Sequence, residues 1–329
     1  MSARRGDRAR AESGVALLSA LFAVALLTVI VIEMTDATLV HTHLTRNAGN
    51  AMAAQLLARS AATAAEAMVT DDNANPSAVT CPQNLWALPL FGVPAGAGVV
   101  GLQITDEGGK LDLNGVLDPR YRTAVDALFR DLELDPALVD RVAAWITPAN
   151  GDAAMATVGG SDYCALSMPC APRQRPLNSL DELLLIRGFD EQAVTRLRPF
   201  VTAIPVGDGR PAGAPQPVNV NTAKPAVLEA LGCESADTLP ACPMSFGGDE
   251  DQKTKDWQTD FTAWKTENCK GERQNLLGTK SNVYSILASG AVGDVTQTLR
   301  TLVRRKGNQR ERLSWQERPV SEALPVEVR

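Results

Sequence analysis

Residues Val15 to Ile32 form a run of 18 residues with no charge, no Pro and no Gly, and Gly14 stands immediately before it. A run of that length crosses a bilayer as a single helix. A secretory signal is cut behind its apolar region, after a small residue. Here the small residue lies in front, so a cut at Gly14 leaves the apolar helix on the mature chain. The leader MSARRGDRARAESG carries Arg4, Arg5, Arg8 and Arg10 against Asp7 and Glu12. A positive leader stays on the cytoplasmic side and sends the rest of the chain outward. The reading is a membrane protein of one span with the rest of the chain outside the cytoplasm. Glu33 and Asp36 mark the exit from lipid, because charge is costly at the midplane.

The chain stays helix-compatible to Val69. That predicts one helix about 80 Å long at 1.5 Å per residue. Ala51 to Met68 is rich in strong helix formers, and TDDNANPSA ends the helix with turn formers. Val99 to Ile104 reads as a strand, Asp106-Glu107-Gly108-Gly109 as a hairpin turn, and Lys110 to Leu113 as the partner strand. Three further β segments lie at 282–288, 295–304 and 311–316. The stretch between the two β regions reads as helical. Tyr121, Val125, Leu128, Phe129 and Leu132 share a helical face. Asp135 and Pro136 start a second helix that Pro148 stops. Ser179-Leu180-Asp181-Glu182 reads as a capping box and Gly188 as the closing residue. Asp190 starts a helix carrying Val194, Leu197 and Val201, and Thr222 caps one that ends at Gly232. Trp257, Phe261 and Trp264 are expected to cover the core.

The fold class is therefore α+β: a long N-terminal helix packed on an antiparallel sheet, with a large inserted helical domain of helix-hairpin-helix or SAM-like type. The expected division is a leader at 1–14, the long helix at 15–69 with its membrane part at 15–34, an α/β head at 70–120 and 281–318, the inserted domain at 121–280, and a tail at 319–329.

Composition narrows the function. With 45% hydrophobic residues the chain has enough apolar material for a packed core, and its formal charge of −6 argues against a general nucleic-acid binder. The six cysteines, Cys81, Cys164, Cys170, Cys233, Cys242 and Cys269, all come after the apolar run. An even count outside the cytoplasm suits disulfides. Cys164 and Cys170 are close enough to close a small loop, and the other pairings stay open. No C-x-x-C pair is present to hold zinc. Gly96 to Gly101 matches G-x-G-x-x-G but precedes a strand, the reverse of the dinucleotide order. It reads as a turn. His41 and His43 are the only histidines, both on the long helix and on different faces of it. No nucleophile has a histidine partner, so no enzyme is read here.

The apolar run behind Gly14 resembles the start of a type IV pilin or a type II secretion pseudopilin. Further motifs are KLDLN at 110–114, AAWI at 143–146, LNSLDELLLIRGF at 177–189, VNVNTAKPAVLEAL at 218–231 and SNVYSILASGAV at 281–292. Together they make the chain similar to the minor pseudopilin K family of the type II secretion system. The resemblance implies processing after Gly14 by a prepilin peptidase and a methylated Val15. It implies a place at the tip of a periplasmic pseudopilus with minor pseudopilins I, J and H. It implies no catalysis and no nucleic acid. Most relatives carry Glu at mature position five, where it compensates a neighbour's N-terminal amine. Here that position is Ser19, which suits a subunit with nothing beyond it. The family also carries calcium in the helical domain. The acidic residues expected beside the Trp-Ile pair are replaced by Ala144 and Thr147, leaving Asn150, Asp152 and Asp162 as oxygen donors.

The alternative is a membrane-anchored periplasmic helix-hairpin-helix protein that binds DNA. Residues 177–189 and 218–231 resemble such hairpins. Their first turn, Gly188-Phe189-Asp190-Glu191, places two carboxylates where phosphate would sit. Between 177 and 232 there are six acidic residues to five basic ones.

Overall fold

Helix α1 runs from Arg4 to Thr70 in the computed structural model, which describes residues 4–71, 79–147, 174–205, 215–234, 236–242 and 250–318. The segment from Val15 contains a window of mean hydropathy 3.0 with none of it buried, long and apolar enough to cross a membrane. Thr28, Thr35, Thr38 and Thr42 return their hydroxyls to carbonyls four residues back. Their polar atoms are thereby satisfied within the helix, as a lipid setting requires.

The second half of α1 lies on a five-stranded antiparallel sheet. Its strands are β1 (Leu90–Ala95), β2 (Gly98–Asp106), β7 (Val283–Val292), β8 (Val295–Lys306) and β9 (Gln309–Arg318), in the order β1-β2-β7-β8-β9. The approach is close because both surfaces are small. Ala54, Ala58, Ala61, Ala62 and Ala65 are buried at helical spacing. Opposite them, a Cβ at Gly290 would sit 2.2 Å from the Ala54 carbonyl oxygen. Ile286, Ala288, Leu299, Val303 and Trp86 complete this core.

The α1–β9 side is fixed by charge. Glu66 is 1% exposed, and Arg310 (3.0 Å) and Arg312 (2.7 Å) both reach its carboxylate. Arg312 also lies over the Trp315 ring, 4.2 Å from its centroid. Nearer the membrane end, Gln55 and Arg59 both donate to Glu317.

Between β2 and β7 the chain builds a separate helical module. It contains α2 (Pro119–Asp131), α3 (Ala137–Ile146), α4 (Glu191–Leu197), α5 (Pro225–Ala230) and α6 (Glu250–Asn268). Two short parallel bridges tie it together: β3 (Leu111–Asp112) with β4 (Val201–Thr202), and β5 (Val218–Asn219) with β6 (Leu277–Gly278). Its core is distinct from that under α1 and includes Tyr121, Phe129, Trp145, Leu183, Val227, Trp257, Phe261 and Trp264. The last three stack along α6. Disulfides Cys81–Cys242 and Cys233–Cys269 are both buried in it. Cys164 and Cys170 lie outside the described residues.

Several local expectations change. The hairpin of Val99–Ile104 with Lys110–Leu113 does not form. The free edge of β2 is taken by β7 over eight residue pairs, from Val99↔Ala291 to Asp106↔Tyr284. Leu111 and Leu113 belong to the helical core instead. The Pro-containing lead-in to the Gly-rich turn is itself a strand, β1, with Pro94 at the sheet edge where a missing N–H is tolerated. Gly96 takes φ 60° in the turn after it. Residues Leu180–Leu185 form a 3-10 helix, with the Ser179 hydroxyl accepting from Asp181 N. Glu182 accepts from Asn178 N, one residue earlier than a capping box uses. Val201 leaves α4 for β4. Helix α5 begins at Pro225 with Lys224 at its cap, because the Thr222 hydroxyl is engaged elsewhere.

Gly290→Ala drives a methyl into the Ala54 carbonyl. It is expected to destabilise the head by about 1–3 kcal/mol, read as a lower denaturation midpoint. Replacing Cys81 and Cys242 together by Ser opens a long covalent loop and is expected to cost about 2–5 kcal/mol. The same denaturation experiment checks it, with and without reductant.

Candidate functional site

The motif-bearing segments meet at the seam between helical module and sheet. Asp106 ends β2 and is 5% exposed. One carboxylate oxygen accepts from the Gly108 N–H at 2.7 Å. The other accepts from the Asn219 amide at 2.9 Å and from the Thr222 hydroxyl. Burial pushes its carboxyl above the ordinary value, against hydrogen bonds from Ser281, Thr222, Asn219 and Gly108 that favour the charge. Asn219, fully buried, also donates to the Thr80 carbonyl at 3.2 Å, which Asn221 approaches at 3.3 Å. Thr80 in turn bonds Thr279 and Ser281 through its backbone N–H and its hydroxyl. The VNVNTA run thus clamps three separate strands of chain to one point.

KLDLN supplies the second clamp. The Asn114 amide donates to the carbonyls of Leu177 and Ile204 and accepts from the Leu177 N–H, all within 3.0 Å. Asp112 accepts from the N–H groups of Asn114 and Ile204. Lys110 grips both oxygens of Glu107 at 3.0 Å. Burial opposes the Glu107 charge, but Lys110, Ser285 and Thr202 outweigh it and hold the carboxyl below its ordinary range. Arg304, on β8 and fully buried, donates to the Pro205 carbonyl at 2.7 Å. These side chains organise the junction; their role is positional.

On the long helix, Gly14 and Val15 lie inside α1, with Val15 exposed. Ser19 donates its hydroxyl to the Ala16 carbonyl at 3.0 Å, so no carboxylate stands at this position. Asn150, Asp152 and Asp162 lie outside the described residues. Among the described residues no group of three or more His, Cys, Asp or Glu side chains is placed to hold a metal ion.

At the two hairpin turns the polar groups point inward. Asp190 accepts from Ala193 N at 2.7 Å, occupying a donor that a phosphate would use. Thr222 is bonded to Asp106, and the Lys224 ammonium lies over the Phe200 ring at 5.1 Å.

The fold is thus α+β, a long apolar helix laid on an antiparallel sheet with a helical module between two of its strands. Residues 109–206 match the family model of type II secretion system (T2SS) protein K. A curated relative, type II secretion system protein K of Pseudomonas aeruginosa, is 26% identical over 233 residues, covering 67% of this chain and 65% of the relative. The match thus spans somewhat less than two thirds of that relative's length. Among solved structures, a chain in the crystal structure of the GspK-GspI-GspJ complex from the enterotoxigenic Escherichia coli type 2 secretion system has the same fold. It aligns with TM-score 0.66 at 20% identity, over 84% of this chain and 99% of that one. By sequence over part of its length, the chain is similar to type II secretion system protein K, and its fold is that of the chain in the GspK-GspI-GspJ complex.

Asp106→Asn keeps the shape but turns an N–H₂ toward donors. It is expected to lower stability by about 1–3 kcal/mol. The raised carboxyl pKa makes the folded state bind a proton more readily than the unfolded one. Stability from this group therefore grows as pH falls through the window above the ordinary Asp value. As pH falls across that window, the wild type should gain on Asp106→Asn in pH-dependent denaturation, and a constant difference would contradict the assignment.

Proposed function

We propose that the protein is a structural subunit of the type II secretion pseudopilus, placed at its tip and active in starting assembly for export of folded proteins. The observation that carries this reading is the division of α1. Its first half is a bare apolar helix, and its second half is locked onto a head. Such a helix needs lipid or sister helices around it, because in water its side chains stay exposed. In this reading residues 15–34 anchor in the inner membrane, and the head at 70–120 and 281–318 carries the inserted domain of 121–280 in the periplasm. The prepilin peptidase cuts after Gly14 and methylates Val15.

The tip position rests on two supports. Ser19 spends its hydroxyl on its own helix, so nothing there neutralises a further subunit's amine. The helical module also adds bulk that is hard to repeat along a packed filament. Partners I and J are supported by the complex from which the similar chain was solved, and H comes by family. Calcium remains a proposal on Asn150, Asp152 and Asp162.

The experiment is an intact mass of the membrane-extracted protein together with co-purification of I and J. A chain beginning at methylated Val15 and carrying both partners is expected. Gly14→Phe should leave the leader in place and reduce the co-purified partners. An uncut wild-type chain would overturn the reading.

A further inference from the structure

We infer that the seam between helical module and sheet contains a receptor for a single carboxylate-type anion, built around Arg300. A cavity of about 60 Å³ lies there, lined from the helical side by Asn178, Ser179 and Arg198 and from the sheet by Glu107, Arg300 and Ser314. That space holds several water molecules and accommodates a carboxylate group.

Charge decides the chemistry. Glu107 is the acid in the wall, and it is neutralised by Lys110 and hydrogen-bonded by Ser285 and Thr202. Arg198 is paired with Asp181. The Arg300 side chain has no ion-pair or hydrogen-bond partner among the described residues, although its neighbours on β8 and β9 are paired: Arg304 and Lys306 with Glu311, Arg310 and Arg312 with Glu66. The wall therefore holds one uncompensated guanidinium, half withdrawn from solvent. A guanidinium fork binds a carboxylate through two parallel N–H···O bonds. A carboxylate there meets a charge-matched, hydrogen-bonding partner that offsets its desolvation, and a cationic group does not.

The anion has two sources: an Asp or Glu side chain on a docking protein, or a free small acid. Either would bridge the two hydrophobic cores and stiffen a seam that is otherwise polar. The receptor is independent of the secretion reading, because it rests on the cavity and its charge alone.

The test uses the full chain in detergent, titrated with acetate and, separately, with an Asp-containing peptide, tracking the backbone amides of β8 and β9 by NMR. Saturable shifts at Arg300, Ser314 and Asn178 are expected with at least one probe. Arg300→Ala should weaken that binding about tenfold or more, while Arg300→Lys retains part of it. Stronger binding of the peptide than of acetate assigns the site to a protein partner, and the reverse assigns it to a free acid. No saturable shift with either probe, or equal binding in a folded Arg300→Ala protein, overturns the proposal. Both variants are checked first for unchanged thermal unfolding, which is expected for a side chain with no partner.

Discussion

The buried carboxylate of Asp106 is the contact on which the arrangement of the two halves depends. The chain buries its apolar side chains in two separate clusters, one under α1 and one within the helical module. Hydrophobic burial holds each cluster together but is non-directional and does not set the angle between them. Hydrogen bonds set it. Asp106 comes from the sheet, Asn219 and Thr222 from the module, and Thr80 from the segment after α1. A buried acceptor of this kind costs little when every lone pair is used and a great deal when one is not.

Glu66 and Arg304 extend the same logic. Each is a charged group in a dry place, each is tied to a different element, and neither stabilises by simple attraction alone. Desolvation offsets much of the Coulomb energy of such pairs. Their contribution is geometric, since one packing of α1 on β9 pairs Glu66 with its arginines, and one docking of residue 205 on β8 gives Arg304 its carbonyl acceptor.

The large elements are legible in the sequence because their periodicities are long. The apolar run of α1, the faces of α2 and α3, and the strands β7 to β9 all come from spacing. The aromatic triplet of α6 reads as core and is core. Two kinds of feature are not legible. Strand β1 carries Pro94 and a bulge, so it looks like a loop, and only its edge position makes it a strand. The two-residue bridges β3–β4 and β5–β6 have no local signal, since their partners lie far apart in sequence. The seam is half visible. KLDLN and VNVNTA stand out as motifs, yet by local pattern Asp106 reads as a turn residue and Thr222 as a helix cap. Both residues favour those roles locally. The tertiary partner takes precedence because the site is buried and the acceptor would otherwise be orphaned. The oxygen donors at 150–162 fall outside the described residues.

The head grips α1 only from about residue 50 onward, leaving a rod from Val15 to that point of about 54 Å at the usual helical rise. Mechanically this is a lever with a short clamp and a long arm. A change of about 5° in the angle at which Glu66 and Arg59 hold the helix moves the far tip by about 5 Å, close to one helical turn. The salt links to β9 therefore act as the fulcrum of the molecule. Small repacking of the sheet is converted there into a sideways displacement of the far end of the apolar arm.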